Sequence, residues 1–76
     1  MNRNRRKAIR TVRGLLTTAQ DKLATITGDE EDYRDAVPDN LQGSDRYYQS
    51  EEAIDCLNQA AEHLTLANDS LEGAIT

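Results

Sequence analysis

The stretch DAVPDNLQGSDRYYQSEEAID, residues Asp35–Asp55, holds the chain's only proline, Pro38, one of its four glycines, Gly43, and two of its three tyrosines. Sequence with helical periodicity runs up to it and away from it. Pro38 disfavours helical geometry at Val37, so a helix should stop there. Ser44 is a good N-cap, and Asp45 then falls in a first helical turn, where the dipole favours an acid. The stretch reads as a helix stop, a short connection and a helix start, with Leu41 tucking back onto a tyrosine.

Upstream, the apolar positions Ile9, Val12, Leu16, Ala19, Leu23 and Ile26 are spaced alternately by three and four. That is a heptad seam on a helix, and strand alternation does not fit it. Continued, the count meets Glu30, Tyr33 and Val37, and the helix is expected to run through Gly28 to about Ala36. Downstream, Tyr47, Ser50, Ile54, Leu57, Ala61, Leu64, Asn68, Leu71 and Ile75 repeat the spacing. Beside them lies a line of mostly small residues: Ala53, Cys56, Ala60, His63, Ala67, Ser70 and Ala74. Small side chains let a neighbouring backbone approach closely.

The expected fold is all-α: a helix over about residues 3–36, a turn over 37–44 and a helix over 45–74, folded into one antiparallel hairpin domain. A turn near residue 40 sets Ile26 by Ile54, Leu23 by Leu57, Ala19 by Ala61, Leu16 by Leu64 and Val12 by Asn68. Two helices of this length leave half of each apolar face wet. A homodimeric four-helix bundle is the natural completion, with an interface drawn from Ala53, Cys56, Leu57, Ala60, Leu64 and Ala67.

Composition supports this. The chain has 76 residues, no tryptophan or phenylalanine, and a single cysteine. So short a chain makes one domain and commonly needs a partner or a staple, and one cysteine allows no internal disulfide. No apolar run approaches a membrane span, and the expected location is the cytoplasm. Charge is segregated. Residues 1–13 hold six bases and no acid, whereas residues 14–76 hold three bases and all fourteen acids. With that segregation, the reversed dimer, tip beside tail, is the expected one.

The run Pro38, Asn40–Ser44, Asp45, Arg46, Tyr47 and Glu51–Asp55 resembles one found in small helical-hairpin proteins of Gram-positive bacteria and their phages. The likeness is close from Pro38 to about Ala60 and looser elsewhere. It implies a helical hairpin from a phage or mobile element, and it implies no activity. The Thr- and Gly-containing first helix departs from the pattern, which usually carries Glu and Lys there.

Tests for chemistry fail in turn. A calcium loop with Gly43 sixth would have Pro38 first and Gln49 twelfth, neither of them a ligand of the needed kind. A di-iron bundle needs Glu three residues before His, and Ala60 stands three before His63. Cys56 and His63 lie about 10 Å apart along a helix axis, too far to share one metal. No phosphate-binding glycine loop and no nucleophile–base set is present. The expectation is a non-enzyme without cofactor or metal.

What remains is charge. Arg3, Arg6, Lys7, Arg10 and Arg13 share one helical flank that could lie on phosphates, contact a protein, or pair with the carbonyl end of the second helix. The acids Glu30, Glu31, Asp32 and Asp35, with Glu52 and Asp55, give a negative rod suited to a basic partner surface, as in DNA-mimicking inhibitors. The leading expectation is an accessory protein that binds a host protein and inhibits or regulates it. The alternative is nucleic-acid binding through residues 3–13.

Overall fold

The structure, a computed structural model, describes all of residues 1–76. Helix α1 spans Arg3–Asp35, a single 3-10 turn spans Asp39–Leu41, and helix α2 spans Asp45–Ile75. There is no strand. The two helices pack side by side into a rod with extents of 59 × 15 × 13 Å.

The ends of the helices follow local chemistry. Asn2 caps α1, its Oδ1 accepting from the Arg5 backbone N–H at 2.8 Å. The α1 helix runs unbroken through Gly14 and Gly28 and stops before Pro38, as expected. Ser44 caps α2 by accepting from the Tyr47 backbone N–H, and Asp45 occupies the first turn. The 3-10 turn between them is closed by Leu41 N–H donating to the Pro38 carbonyl at 2.8 Å. Leu41 remains half exposed and lines an open concavity of about 260 Å³ together with Tyr33, Val37 and Pro38.

The α2 seam is the one its periodicity gives. Ser50 and Ile54 are buried, and Tyr47, Leu57, Ala61, Leu64, Asn68, Leu71 and Ile75 are half-buried. The α1 seam differs. The positions turned toward α2 are Ile9, Arg13, Leu16, Gln20, Leu23, Thr27, Glu30, Arg34 and Val37, of which Thr27 is buried and the rest half-buried. Every second member is one residue later than the apolar count predicts. Val12 and Ile26 are 44% and 51% exposed, so the expected pairings of Val12 with Asn68 and Ile26 with Ile54 do not form.

Polar satisfaction explains the rotation. The facing surface of α2 carries the buried Ser50 and the half-buried Asn68, whose polar groups need partners as they leave water, with the exposed Thr65 at its edge. Arg13 Nε donates to Asn68 Oδ1 at 2.6 Å, and its guanidinium lies 3.7 Å from Glu72. Gln20 Nε2 donates to Thr65 Oγ1 at 2.9 Å. Ser50, only 2% exposed, donates to Glu30 Oε1 at 2.7 Å. Val12 in place of Arg13 would leave the half-buried Asn68 without this partner, whereas Glu30 faces Ser50 in either seam and Thr65 also donates to the Ala61 carbonyl of its own helix. The register itself is the expected one, since Glu30 stands level with Ser50, and Arg13 with Asn68.

Candidate protein-binding face

Rotating α1 by one residue creates a second apolar line on it. Ala8, Val12, Leu15, Ala19, Ile26 and Tyr33 each sit one residue before a seam position: Ile9, Arg13, Leu16, Gln20, Thr27 and Arg34. On α2 the small residues do the same. Ala53, Cys56, Ala60 and Ala67 each precede a seam residue: Ile54, Leu57, Ala61 and Asn68. One residue is about 100° of helical rotation. In two antiparallel helices, equal rotations of the same sign away from the shared seam point to the same side of the pair. The large line of α1 and the small line of α2 therefore lie together on one face of the hairpin.

That face is open. Leu15 is 65% exposed and Tyr33 49%, Ala19 and Ala53 are half-buried, and Ala8, Cys56, Ala60 and Ala67 are exposed. Only Lys22 and Asp29 interrupt the α1 line, and the α2 line carries His63 and Ser70. By contrast, Ile54 is the sole buried hydrophobic residue of the whole chain. Val12, Leu15, Ile26 and Tyr33 thus stand exposed along one face, and exposed apolar side chains grouped in this way mark an interaction site.

Of the residues expected at an interface, Ala53, Cys56, Ala60 and Ala67 lie on this face, while Leu57 and Leu64 belong to the seam between α1 and α2. The periodic count does not reveal the α1 line, because it places Val12, Ala19, Ile26 and Tyr33 in the seam and passes over Ala8 and Leu15. The doublet Leu15–Leu16 carries the missing signal, since two adjacent large residues on a helix cannot both face one neighbour.

The charged residues stand elsewhere. Arg3, Arg6, Lys7 and Arg10 are exposed and make no ion pair, as is Arg5, whereas Arg13 is drawn into the seam by Asn68 and Glu72. The pairing of basic residues with the end of α2 is thus confined to Arg13. Arg3, Asn4, Lys7 and Arg10, none of them hydrophobic, line an open concavity of about 480 Å³. Among the tip acids, Glu30 accepts from Ser50, Asp35 accepts from Arg34 Nε at 3.2 Å, Glu31 is half-buried and Asp32 is exposed. Glu52 and Asp55 are exposed on α2. The Tyr47 phenol is held above its ordinary value, first by desolvation where it packs at the tip and then by Glu51 one turn on.

No group of three or more His, Cys, Asp or Glu side chains is brought together to hold a metal ion, and no helix is long and apolar enough to cross a membrane. Compared with known protein families, curated proteins and solved structures, the chain matches none.

Proposed function

We propose that this chain is a non-enzymatic helical-hairpin protein that works by binding protein through the face shared by α1 and α2. The observation that carries this reading is the exposed apolar band of Val12, Leu15, Ile26 and Tyr33 beside Ala53, Ala60 and Ala67. A band of this kind lowers its free energy by excluding water against a complementary surface, at roughly 25 cal/mol per Å² of apolar area covered. The likeness of Pro38–Ala60 to phage and mobile-element hairpins supports the role of an accessory protein that inhibits or regulates a host enzyme. In that role the outward acids Glu52, Asp55, Glu62 and Asp69 would meet a basic surface.

The test is whether association, with itself or with a host protein, depends on the face. Leu15→Glu with Ile26→Glu places two charges in the band and should abolish cross-linked complexes recovered from host cells and from the purified chain. Complexes of both kinds that survive the double change would overturn the reading.

Five exposed bases without an ion pair favour a second reading, nucleic-acid contact through residues 3–13. Arg3→Ala, Arg6→Ala and Arg10→Ala together should abolish a gel shift of DNA or RNA at near-physiological salt and flatten its salt dependence. A shift unchanged in the triple variant, or no shift in the parent chain, removes this reading.

A further inference from the structure

We infer that the occupant of the apolar face is a second copy of the chain, packed face to face in the reversed sense so that each tip lies beside the other copy's open end. The inference rests on the face being a protein-binding surface and adds the identity of the partner, its orientation and its register.

Three observations lead to it. The first is geometry. Helix α1 spans Arg3–Asp35 and α2 spans Asp45–Ile75, so their midpoints fall at Ala19 and Ala60. Because Glu30 is level with Ser50 and Arg13 with Asn68, those midpoints stand at nearly the same height along the rod. A two-fold axis at the height of Ala60, level with Gln20 and Asp21 of α1 and lying in the plane of the face and across the helices, overlaps both helices over nearly their full length. It sets Leu15 of one copy against Ile26 of the other, and Ala8 against Tyr33. On α2 it sets Ala60 against Ala60 and Ala53 against Ala67. Large side chains meet along α1, and small ones let the α2 backbones close together. An interface of this type is isologous, as in most two-fold dimers.

The second observation is charge. In the reversed arrangement the basic turns from Arg3 to Arg10 of one copy run alongside the segment Asp29–Asp35 of the other. The arrangement with tips together places basic end beside basic end and acid beside acid. At physiological salt the screening length is about 8 Å, comparable to the distance between neighbouring helices in a bundle, so this repulsion is felt. The unpaired state of Arg3, Arg5, Arg6, Lys7 and Arg10 within one copy leaves them available to the other copy's acids.

The third is area. The band from Ala8 to Ala36 is about 42 Å long at the rise of an α-helix. Taken with the 15 Å breadth of the hairpin, its footprint is on the order of 600 Å² per copy. Doubled, it reaches the lower bound of specific interfaces, about 1,200 Å². The acidic ridge of Glu52, Asp55, Glu62 and Asp69 stays outside this interface and remains open to a further partner.

The experiment uses the full chain. Sedimentation equilibrium at micromolar concentration should give the mass of a dimer. Leu15→Glu and Ile26→Glu should each weaken dimerisation by more than roughly tenfold. Leu66→Glu, at a leucine 56% exposed on the edge of α2 that points away from α1, should leave it unchanged. Orientation is read from spin labels on Asn4→Cys in a Cys56→Ser background. The reversed dimer separates the two labels by about 50 Å along the rod, whereas a tips-together dimer holds them within about 30 Å, since four packed helices are only two helix spacings across. A chain that remains monomeric, a dimer indifferent to both glutamate variants, or labels at the short distance would each overturn the inference. A monomer whose binding to a host protein still fails in Leu15→Glu overturns the dimer and leaves the protein-binding face standing.

Discussion

Ile54 is 5% exposed and sits opposite a seam position filled by Thr27, itself 8% exposed. The hydroxyl of Thr27 donates to the Leu23 carbonyl one turn back at 2.8 Å, so it brings no unpaired group into the seam. The two residues should therefore respond differently to substitution. Ile54→Ala removes the only buried hydrophobic side chain and leaves a cavity, costing about 3 kcal/mol. For so small a chain this is a large share of total stability, and urea denaturation followed by circular dichroism should show the midpoint collapse. Thr27→Val keeps shape and deletes a hydroxyl whose acceptor already takes a backbone bond, so the same measurement should show a change near zero. A collapse in Thr27→Val equal to that in Ile54→Ala would mean the hydroxyl holds the seam. Ser50 differs from Thr27 because its bond crosses to Glu30 and fixes the register.

At the scale of the elements, α1 carries two glycines inside a helix of 33 residues. A Cβ built on Gly14 or Gly28 meets nothing within 4 Å. Each glycine therefore costs helix propensity without serving any close approach, and Gly14→Ala and Gly28→Ala should each raise stability by about 1 kcal/mol. A loss on either substitution would show that the helix uses local flexibility there. The boundaries of the elements were legible in the residues themselves. Pro38 ends α1 by sterics, Ser44 starts α2 by capping, and the α2 seam follows its own periodicity because its large residues lie on one line. The seam of α1 was not legible in the same way. Its apolar residues fill two adjacent lines, Ile9–Leu16–Leu23 with Val37 and Val12–Leu15–Ile26 with Tyr33. Periodicity favours the richer combination and so assigned Val12, Ala19 and Ile26 to the seam. The choice was made instead across the pair, where the half-buried Asn68 of α2 takes Arg13 as its partner and the same rotation brings Gln20 to Thr65.

At the scale of the whole molecule, a rod 59 Å long and 13 to 15 Å thick has little interior. If a second copy covers the open face, folding and association are linked, and the melting temperature must rise with protein concentration. Thermal scans over a hundredfold concentration range, roughly, should show a shift of several degrees. A melting temperature independent of concentration would indicate a self-sufficient monomer. Raising the salt should lower the melting temperature at fixed concentration, because the reversed dimer draws on attraction between unlike ends. The sequence by itself determined the class of fold, the two helices, their turn and their register, because these follow from local sterics, capping and the repeat of three and four. It also showed the segregation of basic and acidic residues. Only the tertiary structure decided which line of α1 faces α2, and with it that the remaining apolar line shares a face with the small residues of α2. The physical reason is that a polar side chain drawn partly out of water, here Asn68, takes its partner from across the helix pair, and no pattern within one helix records what the other presents.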